Sequence, residues 1–176
     1  MEIGPLHKLV FPVLAAIALS SCVHKPTYPS KPVIAYKDFL RYGDPSNPDS
    51  VELVVSFTDN EGDIGLYQGD TNGVFGYNDS LNYGNFWMIY YYWDTAGVDH
   101  WSPYDPNLLP PFDTIKHYYR VPPVLPEGDP EEPVKGLIYV KQNPFFKIHD
   151  KIMYVVYMYD RARHKSDTIH TPSLIF

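Results

Sequence analysis

Val51-Glu52-Leu53-Val54-Val55-Ser56-Phe57-Thr58 alternates with a period of two, so that Val51, Leu53, Val55 and Phe57 share one face while Glu52, Ser56 and Thr58 share the other. That period belongs to a half-buried β-strand, whose successive side chains point to opposite faces. Two further runs, Phe86 to Trp93 and Ile152 to Tyr159, are apolar or aromatic at every position. Both faces of each therefore need cover or amphipathic side chains, as in the central strands of a sandwich. Their tyrosines suit this, because the ring packs while the hydroxyl reaches water or a partner. Less regular strands are expected at Val33 to Arg41, Ile115 to Val121, Gly136 to Gln142 and Thr168 to Ile175. Turn residues separate the runs: Asp44-Pro45-Ser46-Asn47-Pro48, Glu61-Gly62-Asp63, Ser102 through Pro111, and Pro122 through Pro133. Eighteen prolines in 176 residues exclude a helical bundle. About seven strands with turns between them predict an all-β chain, a single antiparallel β-sandwich over residues 33–176.

Ahead of that domain the pattern changes. His7, Lys8 and the free amine precede an apolar run from Leu9 to Leu19, broken by Pro12. The run is far shorter than the roughly 20 residues that span a bilayer, so a secretory signal is expected instead of a transmembrane helix. Ala15, Ala16, Ala18, Ser20 and Ser21 also suit ordinary signal peptidase cleavage. Against that stands Cys22, the only cysteine, which would otherwise be an unpaired thiol in an oxidising compartment. Leu19-Ser20-Ser21-Cys22 resembles the lipobox of bacterial lipoproteins, which implies that residues 1–21 are removed and that Cys22 carries lipid, an anchor to the membrane. Residues 22–32 then form a tether. Pro26, Pro29 and Pro32 recur every third position, favouring polyproline II and a reach of about 30 Å, with a proline-rich recognition motif as the alternative.

Two segments carry a second resemblance. Phe57-Thr58-Asp59-Asn60-Glu61-Gly62-Asp63-Ile64-Gly65-Leu66 resembles the "FTDxxGDIGL" signature of a group of lipoproteins from Bacteroidota. Tyr159-Asp160-Arg161-Ala162, with Ser166-Asp167-Thr168 and Thr171-Pro172 beyond it, is similar to the last hairpin of immunoglobulin-like and fibronectin-like domains. Arg163-His164-Lys165 stands where Gly-Asn is usual. The resemblance implies an immunoglobulin-like β-sandwich in the envelope of a Gram-negative bacterium and leaves its activity open. Val23 and His24 lack the Asp that often signals inner-membrane retention, so the outer membrane is expected. His24 and Lys25, in place of acidic residues, favour a periplasm-facing orientation.

If seven strands alternate in direction, residues 59–85, 122–135 and 161–167 emerge with the tether at one end. Residues 42–50, 94–114 and 143–149 emerge at the other. There Trp101, Tyr104, Leu108, Leu109 and Phe112 lie in a proline-stiffened loop, a candidate ligand or partner surface because rigid aromatics bury area at little conformational cost. The alternative is that this loop folds back over a sheet edge or the core.

Asp59, Glu61 and Asp63 stand at alternate positions, a spacing shared with calcium loops, and Asp160 joins them by strand parity. Ile64 occupies the position where an EF-hand needs Gly. The competing reading is a tight turn in which Asp59 and Asp63 accept backbone N–H groups and Gly62 and Gly65 supply unusual dihedrals. Calcium is the one cofactor in view. The histidines His100, His117, His149, His164 and His170 show no metal-ligand spacing, and no GxSxG, Cys–His or Ser–Lys arrangement is present. A net charge of −7 disfavours nucleic acid, which needs clustered Lys and Arg. The expectation is therefore a non-catalytic, lipid-anchored binding or accessory subunit of an outer-membrane protein complex, not an enzyme. Alternatives are a calcium-stabilised structural module and a glycan-binding surface lipoprotein using Trp87, Trp93 or Trp101. Because Trp87 and Trp93 share parity with Ile89 and Tyr91, that face is read as the core.

Overall fold

Val51, Leu53, Val55 and Phe57 are buried on one face of strand β2 (Asn47–Asp59), as their spacing predicts. The computed structural model describes residues 25–44, 47–71, 75–76, 83–95, 100–103, 114–142 and 149–176. The signal segment 1–21, Cys22, Tyr104, Leu108, Leu109 and Phe112 lie outside the described residues.

The described chain is all β. β2 pairs antiparallel with β1 (Val33–Asp44) on one side and with β6 (Val134–Gln142) on the other, giving a three-stranded sheet. A bulge between Tyr36 and Asp38 shifts the register of β1 and turns both Tyr36 and Phe39 toward the core. The second sheet is built on β3 (Phe86–Asp94) and β7 (Lys151–Met158), paired from Phe86↔Met158 to Tyr92↔Ile152. Each outer edge of this pair is split. β4 (His100–Ser102) and β5 (Lys116–Tyr119) follow one another along β3, and β8 (Ile169–His170) and β9 (Leu174–Ile175) follow one another along β7. The two sheets pack face to face over Val51, Leu53, Val55, Ile138 and Val140 from one and Phe86, Met88, Tyr90, Ile152, Tyr154 and Val156 from the other.

Three expectations need correction. Nine strands, not seven, occur among the described residues, because the expected last strand divides into β8 and β9 and a short β4 is added. β4 and β5 both run antiparallel to β3 and therefore parallel to each other, so strict alternation breaks between them, and the two together take the place of one strand in the up-and-down order. However, residues 94–114 are not a single end loop, since β4 falls within them as part of the sheet edge. Finally, the face of β3 carrying Trp87, Ile89, Tyr91 and Trp93 is the outer face, whereas Phe86, Met88, Tyr90 and Tyr92 form the core. Both faces of this strand are aromatic, so period alone does not say which turns inward.

Candidate functional site

β2 ends at Asp59, and β7 is followed by Asp160. Both are fully buried polar residues at one end of the sandwich, one from each sheet. Between them the chain turns sharply. Asp59 Oδ2 accepts the Gly62 N–H at 2.7 Å, and Gly62 and Gly65 hold φ of 73° and 94°. A Cβ at Gly65 would lie 2.2 Å from the Pro122 carbonyl oxygen, so only glycine allows this close approach. The turn is pinned to the neighbouring connection by Leu66 N–H to the Val121 carbonyl at 2.9 Å and Val124 N–H to the Ile64 carbonyl at 3.3 Å. Asp63 reaches the other sheet, its Oδ2 accepting the Ala162 N–H at 2.9 Å and its carbonyl accepting the Arg161 N–H at 3.1 Å.

Carboxylate oxygens of Asp59, Asp63 and Asp160 lie within 4.8 Å of one another. Glu61, the fourth residue expected in this set, is not among them. Its Oε1 takes the Asn60 amide at 3.3 Å and its Oε2 is buried with no hydrogen-bond partner. Strand alternation fails here because the chain turns through Gly62. Asp59 Oδ1 is also buried without a partner. Burial pushes the Asp59 carboxyl up to about 7, opposed by the Gly62 hydrogen bond and reinforced by the charges of Asp63 and Asp160. Burial likewise raises Asp160. His164 opposes that rise, donating its backbone N–H to Oδ1 at 2.7 Å and pairing its Nδ1 with Oδ2 at 2.9 Å. The same contact with Asp160 holds the half-exposed His164 imidazole above its ordinary value.

The tether reaches this end too. Lys25 pairs with Glu132 at 3.1 Å, Tyr28 N–H donates to Asn60 Oδ1 at 3.2 Å, and Lys31 pairs with Asp167 at 2.7 Å. From Lys25 onward the described residues of this segment meet the domain at these three points, with most of their side chains exposed.

Two residues that sequence patterning misses organise the surroundings. Asn85, fully buried, accepts the Val121 N–H at 2.8 Å and exchanges backbone bonds with Tyr119 and Tyr159. Arg120 donates to the carbonyls of Tyr67, Asp70, Phe75 and Tyr83, closing the long connection between β2 and β3. Isolated polar residues of this kind carry no periodic signal.

Trp101 lies in β4 instead of a loop. It is half-buried, edge-on to Trp93 at 5.3 Å, and the Lys151 ammonium sits 4.1 Å over the Trp93 ring. The rings are therefore not coplanar and one face is already covered, unlike a flat sugar-stacking platform. A different surface is open. β6 is the outer strand of its sheet, and a groove of about 590 Å³ runs between it and residues 119–124. Three exposed apolar side chains line it: Val124, Leu137 and Tyr139. Lys135 and Lys141 stand on the same strand. The chain matches no protein-family model, no curated protein and no solved structure.

Proposed function

We propose that the chain is a lipid-anchored, non-catalytic binding subunit of the cell envelope, held at the outer membrane through Cys22, which takes up an extended segment of a partner protein along β6. The observation that carries this reading is the groove beside β6, where Val124, Leu137 and Tyr139 are exposed together. An outer strand offers unpaired backbone N–H and C=O groups to an added strand, and alternate side chains of that strand find the groove. Lys135 and Lys141, in a chain of net charge −7, favour a partner segment that is acidic as well as apolar.

The strand orders β1-β2-β6 and β4/β5-β3-β7-β8/β9 support an immunoglobulin-like domain. Among the described residues no strand pairs with the outer side of β6, which faces residues 119–124 across the groove. Docking of the tether at the acidic end supports placing that end toward the lipid and the β6 edge to the side.

Site-specific photocrosslinking in cells tests the reading. Probes at Lys135, Leu137, Tyr139 and Lys141 should capture one polypeptide through an extended acidic-apolar segment, while a probe at Asp38 on β1 should not. Equal capture from both strands, or none from β6, would overturn it. Mass spectrometry of the N-terminal peptide should find Cys22 acylated.

A further inference from the structure

Asp59 points to a missing ligand. Its side chain is fully buried, one oxygen is used by the Gly62 N–H, and the other has no partner. An ionised oxygen left unpaired in a buried setting is strongly unfavourable. Two more carboxylates, Asp63 and Asp160, stand within 4.8 Å of it. Among the described residues their only cationic partner is His164, on Asp160, and its ring is half exposed. Arg161 is turned to the Tyr67 ring, 4.2 Å from its centroid. A proton shared between two carboxyls would relieve one charge and leave the others.

We propose that Asp59, Asp63 and Asp160 bind one calcium ion that fastens the two sheets together at the tether end of the sandwich. The donors are all oxygen, which selects a hard cation. Calcium holds its ligands at about 2.3–2.6 Å, so two oxygens on opposite sides of one ion are about 4.6–5.2 Å apart. The observed limit of 4.8 Å fits within that sphere. Magnesium demands a near-ideal octahedron and gives up its waters reluctantly, so it gains less from three protein carboxylates. The hydrogen bonds from Gly62, Ala162 and His164 each use one lone pair of their acceptor oxygen and fix its direction, leaving other lone pairs for the ion. Because Asp59 closes β2 in one sheet and Asp160 follows β7 in the other, a single ion crosses the sandwich. It also orders the Asn60 turn on which Tyr28 of the tether rests.

The test uses the mature chain, stripped with chelator and titrated with calcium chloride at neutral pH. A dissociation constant on the order of 10⁻⁴ M, as in extracellular modules, is expected. At a roughly hundredfold excess the melting temperature should rise by about 5–10 °C, with a smaller rise for magnesium. Asp59→Asn keeps an acceptor for Gly62 and removes the buried charge. It should melt no lower than the stripped wild type yet bind calcium at least tenfold more weakly, and Asp63→Asn should weaken binding likewise. Calorimetry measures the affinity directly if either variant melts differently. No saturable binding by the wild type, an equal response to magnesium, or unchanged affinity in both variants would overturn the proposal.

Discussion

Arg163 holds φ of 73°, the only positive value among the described non-glycine residues. The left-handed region brings a Cβ close to the following carbonyl and costs roughly 1–2 kcal/mol for an ordinary residue. The surrounding bonds impose it: Arg163 N–H donates to the Asp160 carbonyl at 3.2 Å, and the next residue, His164, is held twice by the Asp160 carboxylate. Glycine adopts this conformation without that cost, so a non-glycine residue here is the strained one. Arg163→Gly should raise stability by about 0.5–1 kcal/mol in urea denaturation, the gain being trimmed by the freer unfolded glycine. A net loss would mean that the approach of Arg163 to the Phe75 ring, 6.0 Å from its centroid, outweighs the strain.

At the scale of elements, Gly136 decides how β6 joins its sheet. It stands opposite Phe57, and a Cβ there would lie 2.8 Å from two atoms of the Phe57 ring. The ring is buried in the core, so making room for that Cβ shifts it against its core neighbours. Gly136→Ala should therefore destabilise the domain by about 1–3 kcal/mol, the usual range for overpacking, read from the shift of the urea midpoint at unchanged slope. A midpoint within error of wild type would show that Phe57 finds a second position. The strands themselves were legible, because burial on one face imposes period two, and each expected run contains a strand. What was not legible follows from tertiary choice. Phe86 to Trp93 is aromatic on both faces, so its sequence does not say that the tryptophans face outward. β4 is too short to show a period, and it turned Trp101 from a loop residue into an edge-strand residue. In the acidic cluster, Asp59 and Asp63 were found by spacing and Asp160 by strand parity, while Glu61 fell away because Gly62 breaks the alternation between them.

For the whole molecule, the tether meets one end of the sandwich through two exposed ion pairs, Lys25 with Glu132 and Lys31 with Asp167. Such exposed pairs contribute about 0–1 kcal/mol, so the energetics of this end rest on the buried carboxylates. Asp59 titrates near 7 in the fold, against about 3.9 when unfolded. A raised carboxyl contributes stability that is present below its unfolded value and is lost as pH climbs through the folded one, here between about pH 4 and 7. Asp160 is raised in the same direction, and His164, raised by Asp160, loses its contribution as pH rises above about 6.5. His117 opposes them: burial lowers it, so its contribution is present above about 6.5 and is lost on acidification. Asp59 loses stability across this window and His164 above about 6.5, against His117 alone, so the chelated protein should melt at a higher temperature at pH 5.5 than at pH 7.5. Saturating calcium stabilises the ionised carboxylates and competes with protons for them, so it should narrow or invert that difference. Scanning calorimetry at the two pH values, with chelator and with calcium, gives all four melting temperatures. A chelated protein that becomes more stable from pH 5.5 to 7.5 would mean that Asp59 and Asp160 are not crowded carboxyls in solution.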